Sequence, residues 1–177
     1  KELIVWRRTN SDNHNLKSVL FNNLRTYKTV KQDKVIIGAT YEDVPKSSFI
    51  FPGSFNPIHF GHANIVKHIA RNFGGKVYLE ISVHNVDKLS LDYLDINERI
   101  NRIFGYKDEE FQQALAGVII SNTPRFFDKV WKYQSARYIV GADTLERMFD
   151  KKYGDPNELA QMMRETASSI YIAPRND

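Results

Sequence analysis

The chain has 177 residues, 42% of them hydrophobic and 26% charged, enough apolar content for one domain with a substantial core. No apolar run approaches the roughly 20 residues of a membrane span, and the absence of cysteine removes disulfides, thiolate nucleophiles and cysteine-held zinc together. Net charge is +4, but residues 1–34 hold eight Lys and Arg against three acids, so this stretch carries +5 and the rest of the chain −1; without a basic stripe on the main body, nucleic acid is disfavoured as a partner.

Taken in order, KELIVWRRTN (1–10) is too charged, and its apolar part too short, for a signal peptide. A cytoplasmic protein with no membrane contact is expected. The first residue is Lys, in keeping with a piece of a longer chain. Residues 11–30 read as a polar helix with Leu16, Val19, Leu20 and Leu24 at helical spacing, and KVIIGATYE (34–42) as a strand. Residues 1–46 are taken as an extension or the remnant of another module, and 47–177 as the principal domain.

From residue 48 the pattern is regular. Strands are expected at SFIF (48–51), KVYLEISV (76–83), GVIIS (117–121), ARYIV (136–140) and SSIYIA (168–173). Helices are expected at 59–73, stopped by Gly74-Gly75, at 95–104 behind an Asp95/Glu98 capping box, and near 126–134, 143–150 and 156–167, the last with Pro156 at its first position. Such alternation predicts an α/β fold, a Rossmann-like parallel sheet with helices on both faces, whose ligands bind at the carboxyl edge of the strands.

The loop after the first regular strand reads FPGSFNPIHFGH (51–62). His59 and His62 stand three apart at the start of a helix, so their rings share one face. A helix N-terminus offers unpaired N–H groups and partial positive charge, which favour phosphate. Gly53 and Gly61 let the backbone approach a ligand. Two imidazoles with backbone donors can stabilise charge on a reacting phosphoryl group without a covalent step. A bare His-x-x-His is more often two ordinary surface or core histidines near a Pro-rich turn. As a metal pair it lacks a third ligand at familiar spacing.

With its strand before and helix after, FPGSFNPIHFGH closely resembles the signature of the nucleotidylyltransferase superfamily, a His/Thr-x-Gly-His loop. It is especially similar to the nicotinamide or nicotinate mononucleotide adenylyltransferases and to phosphopantetheine adenylyltransferase. EISVHNVDK (80–88) with Arg99, SNTP, and IVGADTLERM (139–148) extend the likeness over most of 48–175, and also resemble a cytidylyltransferase-like group sometimes fused to a CinA-type module.

The resemblance implies that His59 and His62 contact a triphosphate and stabilise the transition state. It implies a nucleotide pocket of Gly53, Ser54, Phe55, Gly61, Lys88, Gly141 and Asp143, and acceptor contacts from Asn56, Asn85, Arg99 and Thr144. Mg²⁺ would ride on the nucleotide phosphates, with ATP or CTP and a phosphate-bearing small molecule as partners; the oligomeric state is left open. Residue by residue, Lys88 reads equally as a solvated charge and Arg99 as a surface charge. Gly141 reads also as a turn after a strand, and Phe126, Phe127 and Trp131 as core or groove lining. Arg125 is a weaker candidate ligand.

Relatives also carry an Ile-Ser-Ser-Thr-x-x-Arg motif beyond the last main strand. The sequence stops at APRND (173–177), where the residues leading to that motif should begin, so 47–177 is expected to lack its C-terminal phosphate-binding segment. Met148 and Phe149 stand where several mononucleotide enzymes carry a Trp that stacks on the pyridine ring. The expected activity is adenylyl transfer from ATP to a phosphate-bearing acceptor, a pyridine mononucleotide among the candidates. The alternatives are cytidylyl or phosphopantetheine adenylyl transfer, a non-catalytic nucleotide-binding module, and a nucleic-acid-associated protein acting through residues 1–34.

Overall fold

The computed structural model describes residues 25–28, 34–37, 44–83, 93–121 and 123–173. Seven strands form one sheet: β1 (Arg25–Lys28), β2 (Lys34–Ile37), β3 (Phe49–Pro52), β4 (Val77–Ser82), β5 (Leu115–Ser121), β6 (Arg137–Val140) and β7 (Ser169–Ile172). Their order is β1-β2-β5-β4-β3-β6-β7. Among the described strands only the β1–β2 pairing is antiparallel. In chain order, β3 to β7 follow the 3-2-1-4-5 arrangement of a Rossmann-like fold. The order reverses on either side of β3, which opens a crevice at its carboxyl end.

Among the described residues six helices cover the sheet: α1 (Phe60–Phe73), α2 (Tyr93–Phe104), α3 (Glu109–Ala114), α4 (Phe126–Lys132), α5 (Ala142–Met148) and α6 (Pro156–Glu165). Strand alternation sorts them onto two faces. Phe49, Phe51, Leu79, Ile81, Val118 and Ile120 pack with Ala63, Val66 and Ile69 of α1, Ile103 of α2 and Phe111 of α3. Ile50, Tyr78, Ile119, Tyr138 and Val140 point the other way, onto Val130 of α4, Met148 of α5 and Leu159 of α6. Both faces are therefore closed, as parallel strands require.

Two expectations are corrected, and one helix is new. The helix expected over 11–30 gives way at 25–28 to β1, which pairs with β2; residues 11–24 lie outside the described residues. Because β2 pairs with β5, strands β1 and β2 extend the same sheet. Helix α2 starts at Tyr93, so Asp95 lies within its first turn, where its charge suits the helix dipole, rather than capping it. Helix α3 was not foreseen: Asp108 caps it by accepting from Phe111 N at 2.9 Å, and the chain enters β5 at once. Gly74 does stop α1, in the left-handed region at φ 65°. Among the described residues no helix is long and apolar enough to cross a membrane.

Candidate functional site

The loop from Gly53 to His59 leaves β3 at the carboxyl edge and feeds α1. Phe55 is fully buried beneath it, edge-on to Phe51 at 5.5 Å and to His62 at 5.0 Å between ring centroids. The glycines keep this packing open. A Cβ on Gly53 would stand 2.7 Å from Phe55 Cζ, and one on Gly61 3.1 Å from His59 Cε1. Their smallness serves the loop's own rings, a role distinct from the ligand approach expected of them.

His59 and His62 lie together, ring centroids 3.7 Å apart and planes 30° from parallel. His59 is exposed and His62 half-buried. Both rings help cap α1: Gly61 N donates to His59 Nδ1 at 3.1 Å, and His59 N donates to His62 Nδ1 at 3.3 Å. Those bonds occupy two of the backbone donors expected to meet a ligand. They also assign the tautomers. An Nδ1 that accepts leaves the proton on Nε2, so each neutral ring keeps an Nε2–H donor beyond the cap. Of the imidazoles and backbone donors expected together, the pair thus presents chiefly the ring donors.

Burial, reinforced by the neighbouring His59, pushes His62 down to about 4. The free protein therefore holds it neutral at physiological pH. Because the folded value lies below the ordinary 6.5, the associated stability is complete above that value and is lost as pH falls toward 4, the unfolded chain taking up the proton first. Ring-nitrogen NMR is expected to follow this low midpoint in the free protein and to show it rise when a triphosphate is added, since an oxyanion favours imidazolium. A free-state midpoint at or above 6.5 would contradict the burial that sets it.

The other candidates divide. Arg99, a candidate acceptor contact that also read as a surface charge, is buried at 6% exposure and donates through Nη1 to the Ser54 carbonyl at 2.7 Å, which holds the loop after β3 from behind. Ser54 and Asn56 are exposed along that loop. Gly141 caps α5 at φ −79°, a conformation open to any residue, and a Cβ there would meet nothing within 4 Å. Neither turn geometry nor crowding calls for glycine at this place on the carboxyl edge. Asp143 and Thr144 follow in the first turn of α5, Asp143 exposed and Thr144 half-buried. Arg125, exposed, pairs with Asp128 at 3.1 Å. Phe126 packs edge-on to Tyr138, while Trp131 is 61% exposed rather than core. Asn85 and Lys88 lie outside the described residues.

Two residues escaped the sequence reading. Glu80 in β4 and Lys129 in α4 form a buried ion pair, Lys129 Nζ 2.7 Å from both carboxylate oxygens, at 1% and 4% exposure. The signal was a lone acid inside the apolar run VYLEIS, since a charge on a strand covered on both faces needs a partner.

Fold and site together define a Rossmann-like α/β domain with an imidazole pair at the carboxyl end of its first crossover strand. A family model described as cytidylyltransferase-like matches residues 50–172, and the chain belongs to that family, within the nucleotidylyltransferase superfamily. Among solved structures it is similar to the nicotinic acid mononucleotide adenylyltransferase of Plasmodium falciparum complexed with NaAD, at 14% identity and a TM-score of 0.48, over 75% of this chain and 78% of that one. It is similar also to a macrolide-efflux protein from Streptococcus pneumoniae, at 13% identity and a TM-score of 0.42, over 78% of this chain and 49% of that one. No curated protein matches the sequence.

Proposed function

We propose that the protein transfers a nucleoside monophosphate from ATP or CTP to a phosphate-bearing small molecule, with release of pyrophosphate. The observation that carries this reading is the stacked pair of imidazoles, 3.7 Å between centroids, each with Nδ1 taken by a backbone N–H and Nε2–H left as a donor. Family membership supports the reaction class.

In the reaction an acceptor phosphate oxygen attacks the α-phosphorus in line. The new O–P bond forms as the bond to the bridging oxygen breaks, and its electrons leave with pyrophosphate. The acceptor needs no general base, because a phosphate monoester is already ionised near neutral pH. The protein's share is positioning and charge stabilisation. His59 and His62 donate to phosphate oxygens from Nε2. His62, neutral in the free protein, gains positive character as charge accumulates beside it. Ser54 and Asn56 edge the nucleotide loop, which Arg99 steadies through the Ser54 carbonyl. Gly141 leaves room at the neighbouring edge for Asp143 and Thr144 to meet a nucleotide or acceptor.

Among the described residues no group of three or more His, Cys, Asp or Glu is placed to hold a metal ion, and the donors at the His pair suit anions. Mg²⁺ would ride on the triphosphate, held by phosphate oxygens and water, and would supply charge screening for the leaving pyrophosphate.

The test is pyrophosphate release by the full-length protein with ATP and CTP, each against a panel of phosphate-bearing acceptors that includes pyridine mononucleotides and phosphopantetheine. Release is expected with one nucleotide and one acceptor class and not with either alone. Nucleotide binding without release from any pair would make the protein a binding module and end the transferase reading.

A further inference from the structure

Behind the nucleotide loop lies a buried polar cluster that the transfer chemistry does not use. Thr123 Oγ1 donates to Ser121 Oγ at 2.9 Å, and the Ser121 hydroxyl donates in turn to Glu80 Oε1. Lys129 Nζ donates to both Glu80 oxygens. All four residues are buried. Glu80 has a second attachment through its main chain, whose carbonyl accepts from Gly53 N at 3.0 Å, at the root of the loop that carries the His pair. Lys129 likewise uses its main chain, accepting from Tyr138 Oη at 2.8 Å, which holds α4 to β6.

Stability alone does not account for such a pair. Burying two charges costs about what their attraction returns, and an apolar pair of similar volume often stabilises a fold as well or better. What apolar packing lacks is direction. Here directed bonds join the first residue of the loop after β3, the start of the segment after β5, helix α4 and strand β6, which ends at Val140 just before Gly141.

We propose that Glu80 and Lys129 are positioning residues, tying the segment after β5 to the nucleotide loop after β3 so that acceptor and nucleotide meet in register. This rests on the transferase reading, in which those carboxyl-edge segments bear the two substrates.

The test compares the wild type with Glu80→Leu/Lys129→Met, which removes the ion pair without stranding either charge, and with Ser121→Ala, which keeps the ion pair and cuts its link to Thr123. In the ligand-free proteins, amide exchange over residues 123–126 is expected to quicken at least about tenfold in both variants while α1 and the thermal midpoint stay near wild type. With the active substrate pair, kcat is expected to fall about tenfold or more and the nucleotide KM to stay within about twofold, because misplacement costs orientation rather than binding. Unchanged exchange over 123–126, or an unchanged kcat in stably folded variants, overturns the proposal. If the double variant does not fold, Ser121→Ala decides alone. Absence of pyrophosphate release from the wild type sinks the transferase reading, and exchange, which needs no turnover, then judges the tether by itself.

Discussion

His62→Ala is expected to lower pyrophosphate release by about 10²-fold or more, equivalent to about 3 kcal/mol of transition-state stabilisation, with the fold retained. The size follows from where His62 stands. Half-buried against Phe55 and stacked on His59, its Nε2–H is held in place before the reaction, so no reorganisation accompanies charge build-up on the phosphate. The same ring also caps α1 through Nδ1, and loss of a cap costs about 0.5–2 kcal/mol of stability. Those two effects can be separated. Gln at the third position of a capping box still accepts from the N-cap backbone, so His62→Gln should recover the stability lost by Ala but not the rate. Steady-state kinetics with thermal melts of the three proteins reads both quantities. An Ala variant with wild-type kcat would remove the imidazole mechanism outright.

Lys129→Met is expected to be among the most damaging changes to stability, at about 3–5 kcal/mol. The substitution strands Glu80, at 1% exposure, with Ser121 as its remaining side-chain partner in the cluster. A lone hydroxyl does not replace an ammonium touching both carboxylate oxygens. The carboxylate must then stay charged in the interior or take up a proton, and either route lowers stability at neutral pH. Restoring an apolar environment with Glu80→Leu should recover most of the loss. Urea unfolding of the single and double variants measures this, and a single-variant loss below about 1 kcal/mol would show that water reaches the carboxylate.

Much of this was legible in the residues because local rules governed it. The run FPGSFNPIHFGH places two histidines one turn apart between a strand and a helix, and geometry alone then puts their rings on one face. The near-continuous apolar runs FIFP and VYLEIS mark strands covered on both sides, and Gly74 and Pro156 mark a helix end and a helix start. Where local rules competed, the reading failed. Residues 25–28 lie at the end of the span read as a helix yet become a strand, since an isolated polar helix is marginal in water while pairing with β2 ties the segment to the sheet. Helix α3 was overlooked because six residues show too little periodicity, although Asp108 followed by Glu109 and Glu110 was a start signal.

The site divides along the same line. Sequence by itself determined the fold class, the carboxyl-edge loop and the identity of the imidazole pair, because each depends on spacing within a few residues. Only the tertiary structure decided which ring nitrogens remain free, why Gly53 and Gly61 are glycine, that Arg99 turns inward to the Ser54 carbonyl, and that Glu80 finds Lys129. The last two depend on atoms 45 and 49 residues apart being brought within 3 Å, and no periodicity encodes a separation of that length. Packing sets it, through the requirement that every buried charge and donor find a partner.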